Sequence, residues 1–294
     1  MHKSGFVNII GNPNVGKSTL MNALVGEKLS IITSKAQTTR HRILGIVNGD
    51  DFQIVFSDTP GILKPCYKLQ ESMMNFVRGA LSDADVLLYV TDTVERDDER
   101  AAEIIDRIRQ SGVPTLVVVN KIDLTTQEAL EALVEKWRAT LPDAEIIPIS
   151  AREGFNIAGL FDRILALLPE GEPFYPKDTL TDKTLRFFAS EIIREKILRN
   201  YDKEIPYSCE IEIEEYREEP GIDRISAVIY VARNSQKGIL IGHKGEKLKK
   251  VGRQAREELE EFLRKKVFLQ LFVKVSEDWR NDERQLRRFG YDPQ

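Results

Sequence analysis

The sequence predicts a mostly parallel, doubly wound α/β domain followed by a smaller α+β domain. Between residues 6 and 168, short apolar runs alternate with helical patterns, and several runs are continuous Val, Ile and Leu. Such runs are typical of strands whose two faces are both covered by helices. A stretch at 169–177 with three prolines and one glycine indicates a linker, and the order then changes to α-β-β-α-α-β. We expect a first domain at 1–170, a linker at 171–182 and a second domain at 183–294.

Each element follows from its own pattern. In the first domain, the predicted strands are 6–10, 43–47, 52–57, 85–90, 115–119 and 146–149, and the predicted helices are 17–25, 71–81, 99–110, 127–140 and 157–168. Asn-Gly-Asp-Asp at 48–51 indicates a hairpin, so one edge strand should be antiparallel. In the second domain, we expect strands at 207–216, 225–231 and 268–275, and helices at 185–200 and 246–264, the latter preceded by a glycine-punctuated helical segment. Acids alternate with apolar residues along 207–216, which predicts a solvent-facing acidic side.

The composition excludes several classes of protein. The 294 residues are 41% hydrophobic and 31% charged, unlike a disordered chain. The net charge of −4 excludes a simple basic nucleic-acid binder, yet residues 233–274 carry twelve basic and five acidic side chains. A local excess of this kind attracts polyanions that the whole-chain charge would not.

Cysteine usage and hydropathy favour the reducing cytoplasm. Cys66 and Cys209 lie far apart without metal-binding spacing, which argues against a disulfide framework or structural zinc. The first residues contain only a six-residue apolar stretch, too short for the core of a signal peptide. No apolar run approaches the roughly 20 residues that cross a bilayer. We expect a cytoplasmic monomer, with peripheral membrane contact left open.

A phosphate-binding loop is predicted between the first strand and the first helix. Residues 11–18, GNPNVGKS, fit the pattern GxxxxGK[ST], in which glycines let backbone N–H groups approach phosphates. Lys17 would reach the β- and γ-phosphates, and Ser18 would ligate Mg²⁺. Asn14 either helps hold a monovalent cation or stabilises the loop. The candidate phosphate-binding residues are Gly11, Asn12, Pro13, Asn14, Val15, Gly16, Lys17, Ser18 and Thr19.

The ends of later strands predict selection of guanine. Asp123, in Asn120-Lys121-Ile122-Asp123, can accept the N1–H and the exocyclic amine of guanine, a pair that adenine does not offer. The stem of Lys121 can lie over the base. Ser150, Ala151 and Arg152 follow the last strand, and we expect the Ala151 N–H to meet the guanine carbonyl.

Two further segments predict hydrolysis that depends on Mg²⁺. Asp58, Thr59, Pro60 and Gly61 end a strand, so that Asp58 can hold Mg²⁺ through water and the Gly61 N–H can meet the γ-phosphate. Either Thr38 or Thr39 could complete the Mg²⁺ shell. The candidate catalytic residues are Lys17, Thr39 and Gly61, and the candidate metal ligands are Ser18, Thr39 and Asp58. Many GTPases place the attacking water with a glutamine where Ile62 stands here, so intrinsic hydrolysis should be slow.

A second glycine turn predicts RNA binding. Gly242-His243-Lys244-Gly245 lies between two helical segments inside the basic stretch, which is the arrangement by which KH domains clamp about four nucleotides. The alternative is a solvated basic helix face. The candidate RNA-binding residues are Gly238, Ile239, Ile241, Gly242, His243, Lys244, Gly245, Lys247 and Lys250; the two isoleucines would form the floor of a base groove.

Together these motifs resemble those of the bacterial Era GTPases. GNPNVGKS, QTTRH, DTPG, NKID and SAR occur with IGHKG in one chain, and the ending LFVKVSEDWRNDERQLRRFGY is also similar. The resemblance covers the whole length and implies a P-loop GTPase domain joined to a type II KH domain. Ile62 agrees with the family, whose members also lack that glutamine, and the resemblance implies that residues 58–62, Ile62 included, meet the phosphates and Mg²⁺.

The resemblance also implies ligands and partners. These are GTP or GDP with Mg²⁺, and the 3′ end of 16S ribosomal RNA, with a role in rRNA processing and small-subunit assembly, partly at the membrane surface. We expect nucleotide-dependent ordering of residues 31–41 and 58–69 to set the affinity for RNA. One alternative is a signalling GTPase with cell-cycle or membrane partners. Another is an NTP-hydrolysing enzyme without a switching role, against which Asp123 argues.

Overall fold

The computed structural model describes residues 1–94 and 99–291, which form two compact units. The first unit comprises Met1–Cys66 and Gln70–Asp182. The second comprises Tyr67–Leu69 and the described residues from Lys183 onward. The last three residues of the predicted second domain lie outside the described ranges.

The first unit is a six-stranded sheet with helices between its strands. Its strands are β1 (Lys3–Gly11), β2 (Ile43–Asn48), β3 (Phe52–Asp58), β4 (Val86–Asp92), β5 (Thr115–Asn120) and β6 (Glu145–Pro148). Its helices are α1 (Lys17–Val25), α2 (Lys68–Ser82, of which the part from Gln70 belongs to this unit), α3 (Glu99–Ser111), α4 (Gln127–Thr140) and α5 (Ile157–Leu167). The sheet order is β2-β3-β1-β4-β5-β6; β2 and β3 pair antiparallel, and the other neighbours among these six strands pair parallel. The predicted fold class is confirmed, including the antiparallel edge strand.

The central strands are buried along their whole length. Every residue of β4 is buried, as are five of the six residues of β5. Their continuous apolar runs therefore face helices on both sides, as the pattern predicted. Because β1, β3, β4 and β5 run parallel, their carboxyl ends lie at one edge of the sheet, where open α/β sheets bind ligands.

Residues 171–182, predicted as a linker, belong to the first unit and follow its sheet edge. The Ile46 N–H of β2 donates to Leu180 O at 2.8 Å, and Thr181 Oγ1 donates to Leu44 O at 2.6 Å. The backbone around Phe174 is bound by the Gln53 side chain of β3. The segment therefore covers the edge strand β2, which would otherwise present unpaired backbone groups.

The second unit is a three-stranded sheet packed on helices. Its helices are α6 (Leu185–Asn200), α7 (Ile205–Ser208), α8 (Asn234–Ile241), α9 (Glu246–Leu263) and α10 (Glu283–Arg288). Its strands are β7 (Cys209–Glu219), β8 (Ile222–Val231) and β9 (Lys266–Val275), in the order β7-β8-β9. β7 is antiparallel to β8, and β9 is parallel to β8. This arrangement of α6 to β9 confirms the predicted small α+β domain.

Contrary to the prediction, some acids of β7 do not face solvent. Glu210 is buried and accepts a 2.8 Å hydrogen bond from Tyr291 Oη, and Glu212 forms an ion pair with Arg288 at 2.6 Å. The chain after β9 thus packs against β7, with Trp279 fully buried. The alternating pattern alone did not show that a later segment supplies partners for these acids.

Among the helices that the structure describes, none combines the length and hydrophobicity needed to span a bilayer.

Candidate nucleotide site and basic glycine turn

The loop between β1 and α1 depends on glycine for its shape. Gly16 has φ +97°, and a Cβ there would lie 2.2 Å from Asn120 Nδ2. At Gly61, a Cβ would lie 2.8 Å from the backbone of Pro13. Both positions therefore exclude a side chain, which lets the strand ends approach one another closely. Lys17 is buried inside the loop, where its ammonium donates to Gly11 O at 2.9 Å and Asn12 O at 2.8 Å.

Three oxygen-bearing side chains converge beside this loop. Ser18 Oγ donates to Asp58 Oδ2 at 2.8 Å and lies 2.9 Å from Thr39 Oγ1. Thr39 Oγ1 also donates to Asp58 Oδ2, at 3.3 Å. Thr38 lies apart from this group, because its hydroxyl donates to Lys35 O at 2.6 Å. The geometry therefore brings Thr39, rather than Thr38, to the candidate metal ligands.

The Asp58 carboxyl is fully buried, and burial raises its pKa above the ordinary value. The Lys17 ammonium and the hydroxyls of Ser18, Ser30 and Thr39 oppose that shift. Burial makes the negative charge of this carboxylate unfavourable, and a divalent cation bound beside it would compensate that charge. A buried carboxylate surrounded by hydroxyl oxygens and one ammonium is therefore suited to bind such a cation.

The segment after β5 connects the candidate base-binding loops. Asn120 Nδ2 donates to Val15 O at 2.8 Å, and Asn120 Oδ1 accepts the Ala151 N–H at 2.9 Å. Ser150 Oγ donates to Asp123 Oδ1 at 2.5 Å, which fixes the carboxylate that would read guanine. The Ala151 N–H, expected to meet the guanine carbonyl, is bound to Asn120 in this structure.

Asp92 is a residue of this site that the sequence analysis missed. It ends β4, is 5% exposed, and forms an ion pair with the Lys121 ammonium, which also donates to Asn14 O at 2.6 Å. The Val94 N–H donates to the other Asp92 oxygen, Oδ1, at 3.0 Å. Asp92 thus orients Lys121, and its position at the end of a central strand is the signal that could have identified it.

The phosphate loop and residues up to Thr39 line a cavity of about 540 Å³, within the usual range for ligand sites, whereas Asp58, Asp123 and Ala151 do not line it. Asn14, Lys17, Ser18, Thr39, Gly61 and Lys121 are among its lining residues. Arg152 also lines it, although its side chain is 84% exposed and pairs with Glu153. Ile62 does not line the cavity: its side chain is 1% exposed and packs in the hydrophobic core with Ile10 and Met74.

In the second unit, the predicted glycine turn joins α8 to α9. Gly242 has φ +73° and Gly245 has φ +78°, a region that favours glycine. A Cβ at Gly242 would lie 2.7 Å from the Lys247 side chain, whereas one at Gly245 would meet no atom within 4 Å. The space beside Gly245 is therefore open to an approaching backbone.

Packing of the two flanking helices presents the basic residues outward. Leu240 of α8 is fully buried, as are Val251, Ala255 and Leu259 of α9. The side chains expected to meet phosphate are exposed; they are His243, Lys244, Lys247 and Lys250. The two isoleucines differ, because Ile239 is 43% exposed whereas Ile241 packs against the core of the unit.

Comparison with known proteins connects both sites to one family. Residues 6–121 match the family described as a 50S ribosome-binding GTPase, and residues 204–280 match the KH domain. The chain is 46% identical to the GTPase Era of Syntrophus aciditrophicus, over 99% of this chain and 96% of the relative. It is 45% identical to the GTPase Era of Staphylococcus haemolyticus, over 99% and 97%. The chain belongs to the Era GTPase family.

Solved Era structures share the whole fold. A point variant of Aquifex aeolicus Era bound to GDP·AlF4⁻ is 43% identical, with a TM-score of 0.94 over 98% of this chain and 99% of the other. Era in complex with MgGDPNP and nucleotides 1506–1542 of 16S ribosomal RNA is also 43% identical, with a TM-score of 0.95 over 99% of each chain. As a member of the Era family, this chain is a GTPase, and the predicted ligands, guanine nucleotide and Mg²⁺, are those held by these structures.

Proposed function

We propose that this Era-family GTPase is a monomeric cytoplasmic switch that binds the 3′ end of 16S ribosomal RNA. It acts in rRNA processing and in assembly of the small ribosomal subunit. The observation that carries the proposal is the Gly242–Gly245 turn, open beside Gly245 and flanked by exposed cations, in a chain that also has a cavity lined by the phosphate loop and Lys121. The solved Era complex with a 16S rRNA fragment supports the same ligand.

Ser18, Thr39 and Asp58 would hold Mg²⁺ in this switch. Two hydroxyls and a carboxylate are the hard oxygen donors that Mg²⁺ prefers. Their mutual hydrogen bonds of 2.8 to 3.3 Å place all three around one point, and Asp58 Oδ1 is buried without a hydrogen-bond partner among the described residues. The donor set therefore fits the ion, which would neutralise charge that develops on the phosphates.

The phosphate loop and the residues around it would supply the rest of the chemistry. Lys17 would exchange its loop carbonyls for β- and γ-phosphate oxygens, and the Gly61 N–H would donate to the γ-phosphate. Because Ile62 is held in the core, no side chain at that position orients the attacking water, so we expect slow intrinsic hydrolysis. A monovalent cation beside Asn14 stays a prediction, to be tested by comparing hydrolysis in K⁺ and Na⁺.

The glycine turn would clamp the backbone of single-stranded RNA. Gly245 leaves room for close approach, and the exposed cations on both sides of it would pair with successive phosphates. Ile239 offers an exposed apolar surface for a base, whereas Ile241 acts mainly in the core.

Substituting Gly245 by Asp tests this assignment. The change places an acid and a Cβ where the RNA backbone would approach, so affinity for a 3′-end strand should fall at least about tenfold. Gly221→Asp is the matched control, since Gly221 also has a positive φ (+81°), lies in the same unit and has no atom within 4 Å of its Cβ position. Fluorescence anisotropy with the GTP-analogue-bound protein measures both.

Equal RNA affinity for the Gly245→Asp and Gly221→Asp variants would contradict RNA binding at this turn. That result would favour a signalling GTPase whose second unit binds protein or membrane. Peripheral membrane contact remains an expectation of the resemblance, and flotation with liposomes of anionic lipid tests it. Protein that stays in the bottom fraction would count against it.

A further inference from the structure

Arg42 lies three residues after Thr39, where an irregular segment enters β2. Residues 31–42 contain no helix or strand, so regular backbone hydrogen bonds do not fix the position of Thr39. The Thr39 hydroxyl contacts Ser18 at 2.9 Å and Asp58 at 3.3 Å. A chain of three residues spans at most about 11 Å, so whatever holds Arg42 also limits how far Thr39 can move from these partners.

The Arg42 guanidinium binds three side chains at once. Its Nε donates to the Oγ of Ser57, the residue before Asp58, at 2.7 Å. Its Nη1 and Nη2 donate to the two carboxylate oxygens of Asp83 at 2.6 and 2.9 Å, a bidentate geometry that lysine cannot reproduce. Nη2 also donates to Asn8 Oδ1 at 3.1 Å. All three nitrogens of the guanidinium are therefore engaged.

The partners of Arg42 belong to three different parts of the first unit. Asn8 lies in β1 and Ser57 lies in β3, and both are fully buried. Asp83 directly follows α2, and Asn8 Nδ2 donates both to Asp83 Oδ1 at 2.7 Å and to Ala80 O of that helix at 2.6 Å. The carboxyl end of a helix also favours a nearby cation. Arg42 thus joins the irregular segment to the sheet and to the end of α2.

This anchor is more than an ion pair on the surface. Such pairs usually contribute little, and the Asp83 side chain is 49% exposed. The Arg42 side chain, however, is only 18% exposed, and two of its partners are buried polar groups. In addition, the ring of His41 lies 6.1 Å from the ring of Phe76 in α2. Two neighbouring residues of the segment therefore contact the same helix.

We propose that Arg42 is a positioning residue for Thr39, which it keeps beside Ser18 and Asp58 by fixing the end of segment 31–42 to β1, β3 and α2. This inference rests on the proposed role of Thr39 as a Mg²⁺ ligand. Arg42 does not line the nucleotide cavity, so it acts on the metal site through Thr39. Loss of Arg42 lets the segment move and weakens Mg²⁺ binding.

The test is the Mg²⁺ dependence of GTP-analogue binding by the full chain carrying Arg42→Met, which removes every donor and keeps an apolar side chain. Loss of a group that orients a metal ligand typically weakens metal binding by about 10–100-fold, so the Mg²⁺ concentration for half-maximal binding should rise at least about tenfold. GDP binding in EDTA should not change. Arg163→Met is the matched control and should change neither value, since Arg163 also forms a bidentate pair in the first unit, with Glu145.

The same measurement in a Thr39→Ala background separates this inference from the ligand on which it rests. Residues that act through one contact have non-additive effects, so Arg42→Met should add nothing to the Mg²⁺ requirement of Thr39→Ala. An equal rise in both backgrounds would show that Arg42 acts independently of Thr39 and would overturn the proposal. A rise in Thr39→Ala with none in Arg42→Met would also overturn it, while the ligand set would stand. If Thr39→Ala has no effect, the ligand assignment fails and the inference falls with it.

Asp83→Ala distinguishes positioning from a general loss of stability. It removes the bidentate partner of Arg42 at an exposed position, so the melting temperature of the GDP-bound protein should stay close to that of the wild type. The Mg²⁺ requirement should still rise, by a smaller factor than in Arg42→Met. A lower melting temperature of Arg42→Met combined with an unchanged Mg²⁺ requirement of Asp83→Ala would show that Arg42 is merely structural.

Discussion

Asp92 and Lys121 show how a single buried carboxylate can organise a ligand site. Lys121 lies in the left-handed region, with φ +63°, and its ammonium is held by both Asp92 and Asn14 O. The long stem is thereby fixed in one direction instead of sampling many rotamers, and less entropy is lost when a base binds against it. In the proposed site, Lys121 would provide a flat apolar surface for the base, and Asp123 would select guanine.

We expect Asp92→Asn to weaken binding of guanine nucleotides by about 10–100-fold, since a hydrogen bond to a charged group contributes about 1.5–3 kcal/mol. The fold loss in affinity should be equal for GDP and xanthosine diphosphate, because the Lys121 stem contacts the face of the base and not its exocyclic groups. Asp123→Asn should instead change the base preference from guanine to xanthine. The amide nitrogen donates where a carboxylate oxygen accepted, and xanthine has a carbonyl in place of the exocyclic amine of guanine. Isothermal titration with both nucleotides measures this.

Asp106→Asn is the matched control for Asp92→Asn, since Asp106 forms an exposed ion pair with Arg109 on α3 and such pairs contribute little. A change of base preference in Asp92→Asn would contradict the assigned role, as would unchanged affinity for both nucleotides.

At the level of residues, sequence predicts the motif positions better than their partners. The spacing of Lys17, Ser18 and Asp58 was sufficient to predict a phosphate and Mg²⁺ site. It could not choose between Thr38 and Thr39, because that depends on the path of an irregular loop, in which Thr38 turns back to Lys35 O. It also could not show that Asn120 takes the Ala151 N–H, since that bond joins residues 31 positions apart.

Among the elements, the segment 171–182 is attached to the first unit by a small set of buried polar contacts. Gln53 is fully buried in β3 and bonds to the segment with both ends of its amide: its Oε1 accepts the N–H groups of Phe174 and Tyr175, and its Nε2 donates to Tyr175 O. The ring of Phe174 lies 4.8 Å from that of Phe6. One polar side chain therefore fixes the start of the segment along the sheet edge.

Gln53→Leu should release this segment. The substitution keeps the volume but leaves two N–H groups and a carbonyl without partners, which should lower the free energy of unfolding by about 1–3 kcal/mol. Hydrogen–deuterium exchange of residues 171–182 should become faster, and the urea midpoint should fall. Gln110→Leu, at an exposed position on α3, should change neither. Unchanged exchange in the Gln53 variant would show that the segment is held by other contacts.

The regular elements were predictable because their apolar patterns are local. The strands with continuous Val and Ile runs and the amphipathic α9 follow directly from their periodicity. The path of 171–182 and the packing after β9 were not predictable, since they depend on partners far away in sequence. Glu210 is an example: its position in the alternating pattern indicates exposure, but Tyr291, 81 residues later, binds its buried carboxylate.

For the whole molecule, the distribution of charge matters more than its sum. The net charge is −4, but several acids of the β7–β8 hairpin are paired with Arg288, Lys265 and Lys274, while the cations around the α8–α9 turn are exposed. The second unit therefore presents a local positive surface at the turn whose glycines admit a nucleic-acid backbone. In the proposed switch, nucleotide binding to the first unit would give the chain a second state to which RNA affinity is coupled.

The most direct test of a GTP-dependent RNA switch is the affinity of the full chain for a short strand from the 3′ end of 16S rRNA. Anisotropy would be measured with saturating GDP and with a non-hydrolysable GTP analogue, at one salt concentration. A GTP-dependent switch predicts tighter binding with the analogue, and loss of this binding in Gly245→Asp. Equal affinity in the two nucleotide states would contradict it.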